Sequence, residues 1–429
     1  MNTPLASEPQ NVNQRATHIR WFGGALVCFL CFVAYVDRIV FSVSASPIMQ
    51  ALHMNPVDFG IVTTLFNVGY FIFQIPGAFM IERLGTRATL AISLITWSVF
   101  TALTGVANSL MMLAVIRFFF GIGESPVFPA GNSFFANWFP KEERGKANSL
   151  MNAGAFMAPI FAPPIVVAVV TSMGWNMAFY LCGLLGIATA VVWYVCTRNH
   201  PSEHPWVNKK EVAFITKDSE ITTKKEKAPW KLFLKQRSFW AIAMGYFGTL
   251  WTIQFFIYWL PYYLQAARKM SFKDMGFYTS VPFIFLVIGV FVAGALSDWL
   301  LKKGLSRFQS RNLVCVVGLG ISALALVMSV YAETAVGNIL WLSLALGMAG
   351  FAQTLSWVIA TDIARKFTSA VGSWMNTWGF VAAAIVPTVA AIVARDYGWN
   401  QVLILNACII LIGLTGFLLV KTNEPLKVS

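Results

Sequence analysis

Charge is what this chain has least of. Only 11% of its 429 residues are Asp, Glu, Lys or Arg, while 57% are hydrophobic; an ordinary soluble domain carries roughly 25% charged residues. Such a composition excludes a water-exposed globule and points to a multi-pass membrane protein. Histidine is almost as scarce, with four residues, and the six cysteines (Cys28, Cys31, Cys182, Cys196, Cys315 and Cys408) all fall in apolar segments. Cys28 and Cys31 have redox-motif spacing but sit inside a membrane helix, where packing is the ordinary role, so no disulfide framework is expected. No His/Cys cluster has metal-ligand spacing. No G-x-x-x-x-G-K-[ST] loop exists to bind a nucleotide, which leaves ATP drive unsupported. With no polar domain large enough for catalysis, the expectation is a protein that is not an enzyme and holds no metal and no cofactor.

What is present in quantity is apolar stretches of roughly 20 residues, the length that crosses a bilayer. Twelve begin near Trp21, Val57, Ala88, Ser109, Ala147, Trp175, Phe239, Asp274, Arg311, Gly337, Phe367 and Gly398. The first twenty residues are polar and lack the short apolar core and cleavage site of a signal peptide, so the first stretch is expected to be a retained membrane helix. The formal charge of +13 is a matter of topology: 25 of the 31 Lys and Arg lie in the two tails or in alternate loops. By the positive-inside rule this puts both termini in the cytoplasm, and a nucleic-acid partner is not expected. The expected layout is a cytoplasmic tail over 1–18, a six-helix bundle over 19–197, a cytoplasmic linker over 198–238, a second six-helix bundle over 239–421 and a tail over 422–429. The linker, with Lys209, Lys210, Lys224, Lys225 and Lys227, is the only long polar stretch and reads as solvated.

The two halves echo each other. Met151-Asn152-Ala153-Gly154-Ala155-Phe156 recurs as Met375-Asn376-Thr377-Trp378-Gly379-Phe380, and Gly174-Trp175-Asn176 as Gly398-Trp399-Asn400, both at an offset of 224 residues. Parallel repeats around a midplane site are an architecture of secondary transporters. The loop after the second span carries Glu82, Arg83, Gly85 and Arg87, and its counterpart after the eighth carries Asp298 with Lys302, Lys303 and Gly304. An acid at a helix end beside basic residues can pair with a neighbouring helix terminus and latch one conformation, so Glu82, Arg83, Arg87 and Asp298 are candidate latch residues.

Against this apolar background four side chains stand out: Asp37 and Arg38 in the first span, Arg117 and Glu124 in the fourth. Ionisable residues at that depth are costly and usually face a polar cavity. Asp37 and Arg38 project about 100° apart, and Arg117 and Glu124 share a face but stand about 10.5 Å apart along it. The latter two cannot pair directly, so each needs a partner on another helix. A static ion-pair network is the alternative, although buried pairs are poor stabilisers after desolvation.

The chain resembles the major facilitator superfamily over nearly its whole length, in its twelve spans, central linker and paired loop motif. More narrowly it is similar to the anion:cation symporter family, whose members include bacterial transporters of galactonate, glucarate and hexuronate together with sialin and the vesicular glutamate transporters. The residues that carry this are Tyr35-Val36-Asp37-Arg38, Tyr70 with Gln74-Ile75-Pro76-Gly77, Arg117 through Gly121 to Glu124-x-Pro126-x-x-Pro129, and Trp138-Phe139-Pro140 followed by Glu143-Arg144. There are departures: Glu82 stands where Asp is usual, Ala78 where Gly is usual, Ala155 where galactonate-type relatives have a glutamine, and Gln254 where they have an aromatic.

The resemblance implies an all-α membrane protein of twelve helices in two pseudo-symmetric six-helix bundles, the major facilitator fold. It implies a proton-coupled symporter that imports an organic anion, a sugar acid, by alternating access across a bacterial inner membrane as a monomer. It assigns proton coupling to Asp37 and Glu124 and makes Arg38 and Arg117 essential. Arginine stays protonated and offers a fixed fork to a carboxylate, whereas a buried carboxyl can exchange a proton; Arg38 is therefore the expected anion anchor. Arg117 is expected to bind substrate too and to couple it to the proton, and Tyr35, Tyr70, Asn376, Gln254, Gln353 and Ser356 complete the expected substrate cavity. An anion exchanger, a sodium-coupled or facilitated carrier and a non-transporting sensor are the competing readings.

Overall fold

The computed structural model describes residues 16–217 and 228–427; residues 1–15 of the amino-terminal tail, the linker lysines Lys224, Lys225 and Lys227, and residues 428–429 lie outside it. Fifteen α-helices follow in order: α1 (Ile19–Val43), α2 (Ala45–Ala51), α3 (Pro56–Thr104), α4 (Leu110–Glu124), α5 (Val127–Trp138), α6 (Arg144–Met173), α7 (Trp175–Cys196), α8 (Lys209–Thr216), α9 (Trp230–Phe233), α10 (Arg237–Ala266), α11 (Phe272–Lys302), α12 (Leu313–Val330), α13 (Ala335–Ala364), α14 (Thr368–Tyr397) and α15 (Trp399–Leu419). Ten stretches among the described residues are long and apolar enough to cross a membrane. Two of them, Pro56–Thr104 and Ala335–Tyr397, hold 49 and 63 residues, more than twice what one crossing needs. Each is broken by a left-handed residue, Gly85 at φ 76° and Arg365 at φ 49°, and so crosses twice. The result is twelve spans in two six-helix bundles, the all-α architecture expected from the sequence.

Local signals set the helix ends. Asn55 accepts hydrogen bonds from the backbone N–H of Val57 (2.8 Å) and Asp58 (3.1 Å), and Asp58 accepts from Asn55 N–H (3.0 Å). This capping box, with Pro56 in the first turn, satisfies donors that would otherwise be orphaned at the start of α3. The fourth span runs through α4 and α5 with a break at Ser125 and Pro126. The repeated Gly-Trp-Asn motif folds the same way twice: Gly174 and Gly398 both have φ 87°, with ψ 160° and 166°. That backbone suits glycine, and its recurrence at the same offset carries the duplication from sequence into conformation.

The bundles meet at the end away from the linker. Among the described residues every hydrogen bond between them lies there: Ser46 Oγ to Gln265 Oε1 (2.5 Å), Thr64 Oγ1 to the Ala384 carbonyl (2.8 Å) and to Thr388 Oγ1 (2.8 Å), and Tyr258 Oη to Asn67 Oδ1 (3.1 Å). Phe59 packs edge-on against Trp259 at 5.7 Å. At Gly60 a Cβ would stand 2.7 Å from the Pro387 carbonyl oxygen, so only glycine lets α3 and α14 come this close. Deeper in, Tyr70 stacks on Phe380 at 5.1 Å. Towards the linker end no hydrogen bond or ion pair joins the bundles among the described residues.

The linker departs from the solvated reading. Glu211, on α8, is completely buried and accepts from Thr17 Oγ1 (2.5 Å), from the backbone N–H of Ile19 and Arg20 (3.2 Å each) and from Arg20 Nη1 (2.9 Å). It thereby caps α1 and neutralises Arg20, which also donates through Nε to Glu143 at 2.8 Å. At the other end of the linker Phe233 packs on Phe239 and Phe367. The linker is moored on the first bundle before residue 218 and on the second after residue 227.

These contacts predict which cysteine pairs will cross-link. In a background with the native cysteines replaced, Thr64→Cys with Thr388→Cys should form a disulfide on oxidation in ligand-free protein, and Arg83→Cys with Asp298→Cys should not. Gel mobility checks both, and the reverse pattern would contradict the closed far end.

Candidate functional site

Helices α1 and α4 carry the four conspicuous charges, Asp37 and Arg38 adjacent on α1 and Arg117 two turns before Glu124 on α4. Arg38 donates through Nε (2.9 Å) and Nη2 (2.6 Å) to the same oxygen, Glu124 Oε1. Glu124 Oε2 has no hydrogen-bond partner among the described residues. The guanidinium is boxed by aromatic faces, its carbon 4.8 Å from the Tyr35 ring centroid, 5.0 Å from Phe66 and 5.4 Å from Tyr70. Such cation–π contacts favour a desolvated guanidinium without satisfying its hydrogen-bond donors.

Asp37 points away from Arg38, as the angle between adjacent helical residues requires. Its Oδ2 accepts from Trp97 Nε1 at 3.0 Å, and its Oδ1 has no hydrogen-bond partner among the described residues. Arg117 lies flat on Phe41, 3.6 Å from the ring centroid, and 4.7 Å from that of Phe120, with Nε and Nη1 unpaired among the described residues. All four charged residues are at most 5% exposed. Two acids and two bases balance, yet only one close ion pair forms between them.

The second bundle contributes neutral groups. Gln254 is buried on α10, one turn from Tyr258, whose hydroxyl reaches Asn67 across the gap between the bundles. Gln353, on α13, and Asn376, on α14, are half-buried. Asn376 lies one turn from Phe380, the ring that meets Tyr70. Ser356 is set apart: it is completely buried and its hydroxyl donates to the Ala352 carbonyl of its own helix at 2.5 Å. The structure thus gathers Tyr35, Asp37, Arg38, Tyr70, Arg117 and Glu124 in the first bundle, places Gln254 one turn from the Tyr258–Asn67 contact and Asn376 one turn from the Tyr70–Phe380 contact, and withdraws Ser356.

The expected latch residues are not joined. Glu82, Arg83 and Asp298 are exposed and form no ion pair among the described residues. Arg87 stays within its own bundle, donating to the Tyr194 carbonyl at 2.8 Å and lying over the Tyr194 ring. Acids of the second bundle near this end have a nearer cation, since Arg311 pairs with Asp362.

Several site residues were not singled out in the sequence. Trp97 holds Asp37, Phe66 closes the box around Arg38, and Asn67 with Tyr258 roofs it. Among 16 Trp and 36 Phe, nothing in spacing distinguishes these. A cavity of about 480 Å³ lies elsewhere, at the far end between Ser46, Gln50, His53, Tyr262 and Gln265; it has no charged lining and is not the site. No group of three His, Cys, Asp or Glu that could hold a metal occurs among the described residues.

Comparison with known proteins follows the same lines. Residues 27–387 match the family model described as Major Facilitator Superfamily. The chain is 30% identical over 430 residues to a probable L-galactonate transporter of Escherichia coli, covering 98% of this chain and 94% of the relative. It is 29% identical to a probable galactarate/D-glucarate transporter of Bacillus subtilis, covering 90% and 88%, and 30% identical to a probable sulfoacetate transporter of Cupriavidus necator, covering 85% of each. Among solved structures, a bacterial homologue of the human lysosomal transporter Spinster aligns with a TM-score of 0.77 at 16% identity over 95% of this chain and 98% of that one. A D-xylose–proton symporter aligns at 0.73 with 14% identity, covering 95% and 98%.

Trp97→Phe keeps the ring and removes the donor to Asp37, which should cost about 1–3 kcal/mol of stability. In an Asp37→Leu background, which has no acceptor, most of that loss should disappear in a double-mutant cycle. Thermal unfolding in detergent measures both, and a Trp97→Phe protein as stable as the parent would remove Trp97 from the site.

Proposed function

Because the chain belongs to the major facilitator superfamily, we propose that it is a bacterial inner-membrane transporter that imports an organic anion, a sugar acid, together with a proton by alternating access. The observation that carries this reading is the Arg38–Glu124 pair: a permanent cation whose only close anion is a carboxylate that a proton can silence. The relatives are described as probable transporters of L-galactonate, of galactarate/D-glucarate and of sulfoacetate, all organic acids.

The cycle follows from that geometry. With Glu124 ionised, Arg38 is occupied. A proton on Glu124 withdraws the carboxylate, and the guanidinium fork becomes free for the carboxylate of the cargo. Each ligand thus helps the other: proton binding raises anion affinity, and by linkage anion binding raises proton affinity by the same factor. Asp37 and Arg117 hold a second proton-accepting position beside the first, with Trp97 fixing Asp37.

Access is set by the two ends. Asn67–Tyr258 and Tyr70–Phe380 close over Arg38 from the far side, while the linker side lacks cross-bundle bonds among the described residues. The positive-inside distribution assigns the linker side to the cytoplasm, so the end that is closed by cross-bundle bonds faces outward. In the outward-open state the far contacts part, and Glu82, Arg83, Arg87 and Asp298 come together as the latch. Rigid-body rocking of two bundles about a midplane site is how parallel repeats alternate access.

Two substitutions separate the roles. In proteoliposomes Glu124→Gln should abolish uptake driven by an inward proton gradient while retaining exchange of cargo between the two sides. Arg38→Lys, which keeps charge but loses the fork, should raise the half-saturating cargo concentration by about tenfold or more. Gradient-driven accumulation by Glu124→Gln, or accumulation that follows sodium instead of pH, would sink the proton assignment.

A further inference from the structure

The far end closes by a contact that occurs twice. Helices α3 and α11 both begin there, and they begin in the same way. Asn55, Asp58 and Gly60 recur as Ser271, Asp274 and Gly276, each at an offset of 216 residues. Ser271 caps α11 as Asn55 caps α3: its hydroxyl accepts from the backbone N–H of Asp274 (3.1 Å) and donates to Asp274 Oδ2 (2.6 Å). Each glycine thus sits about one and a half turns into a helix whose start is fixed by its cap.

What each glycine meets on the opposite bundle also recurs. Gly60 lies against Pro387 of α14, and Gly276 against Pro163 and Val167 of α6; Pro163 and Pro387 are related by the 224-residue offset of the repeat. A Cβ at Gly60 would stand 2.7 Å from the Pro387 carbonyl oxygen and 3.1 Å from its carbon. At Gly276 it would stand 2.5 Å from Val167 Cγ2, 2.9 Å from Val167 Cβ and 3.3 Å from the Pro163 carbonyl oxygen. Carbon atoms pack best at about 3.5–4.0 Å, so neither seam has room for a methyl group. The seams differ in one respect. Thr64 hydrogen-bonds across the first, whereas its counterpart Ser280 has no hydrogen-bond partner among the described residues, and Pro164 stands where α14 has Thr388. Among the described residues the α6–α11 seam is closed by packing alone.

We infer that Gly60 and Gly276 are positioning residues that set the balance between the two access states, each a seat for the helix backbone of the opposite bundle when the far end is shut. This rests on the alternating-access reading above. The crowding exists only in the closed arrangement. When the bundles part at this end, α3 leaves α14 and α11 leaves α6, and an added methyl loses its clash. A side chain at either seat therefore destabilises one state alone and moves the population to the other. The seats lie on different helix pairs, so bundles that rock as rigid bodies must release both together, and crowding at one is felt at the other.

Gly276→Ala is the informative variant, because neither cross-linking pair introduced above lies on its seam. In purified full-length protein with the native cysteines replaced, it should lower cross-linking of Thr64→Cys with Thr388→Cys and raise that of Arg83→Cys with Asp298→Cys, moving their ratio by about tenfold or more. Gly60→Ala should raise the linker-end cross-link in the same way. Gly320→Ala, whose methyl would meet only Leu414 at 3.7 Å, should change neither pair. Val167→Ala removes the nearest crowding atom and should return Gly276→Ala towards the parent pattern. The parent pattern kept in Gly276→Ala overturns the inference and leaves the transporter reading standing. Loss of both cross-links together marks a damaged fold in place of a shifted balance and overturns the inference too. A far end that parts with no gain at the linker end overturns the rocking of the bundles along with it.

Discussion

The Arg38–Glu124 contact constrains the rest of the molecule. A guanidinium and a carboxylate are buried in an apolar interior, where each alone would be prohibitively costly. That cost requires each to meet the other across the bundle and dictates what may surround them. The aromatic faces of Tyr35, Phe66 and Tyr70 pack around the cation without competing for the anion. A buried pair is also a poor net stabiliser compared with an apolar pair of the same shape. That weakness suits an exchangeable contact, since replacing one carboxylate by another leaves the balance nearly unchanged.

Buried charge is divided unequally between the bundles. The first holds every charge at the site, and the second contributes neutral groups. The roof contacts Asn67–Tyr258 and Tyr70–Phe380 cross that division. Tyr70 touches both the Arg38 guanidinium and the second bundle, so a change at the ion pair is felt where the bundles meet. The linker respects the same division, its first part sealed onto α1 through Glu211 and Arg20 and its last part packed on the second bundle.

Much of this was legible in the sequence because charge is so rare. Asp37, Arg38, Arg117 and Glu124 are conspicuous in apolar runs, and their helical spacing forecasts that Arg117 and Glu124 must look to other helices. The twelve spans and the duplication were legible for a related reason: a bilayer imposes a fixed length on each crossing, and Gly174 and Gly398 need a backbone that few residues tolerate. The neutral partners were hidden. Trp97, Phe66, Asn67 and Tyr258 are polar or aromatic residues among many of their kind, and only the three-dimensional approach of α1, α3 and α10 singles them out. Glu211 looked like one acid among the charges of a solvated linker, because burial at a helix start leaves no periodic trace in so short a helix.

The confinement of all four charges to one bundle also bears on the membrane voltage. On the proposed cycle the loaded site carries two arginines, one carboxylate, one protonated acid and one anion, and the empty site two arginines and two carboxylates. Both sum to zero. An electrical potential of 100 mV performs about 2.3 kcal/mol of work on each net charge that crosses it, and here it finds none to act on in either direction. Accumulation would then track only the difference in acidity between the two sides, leaving the electrical half of the proton-motive force unused.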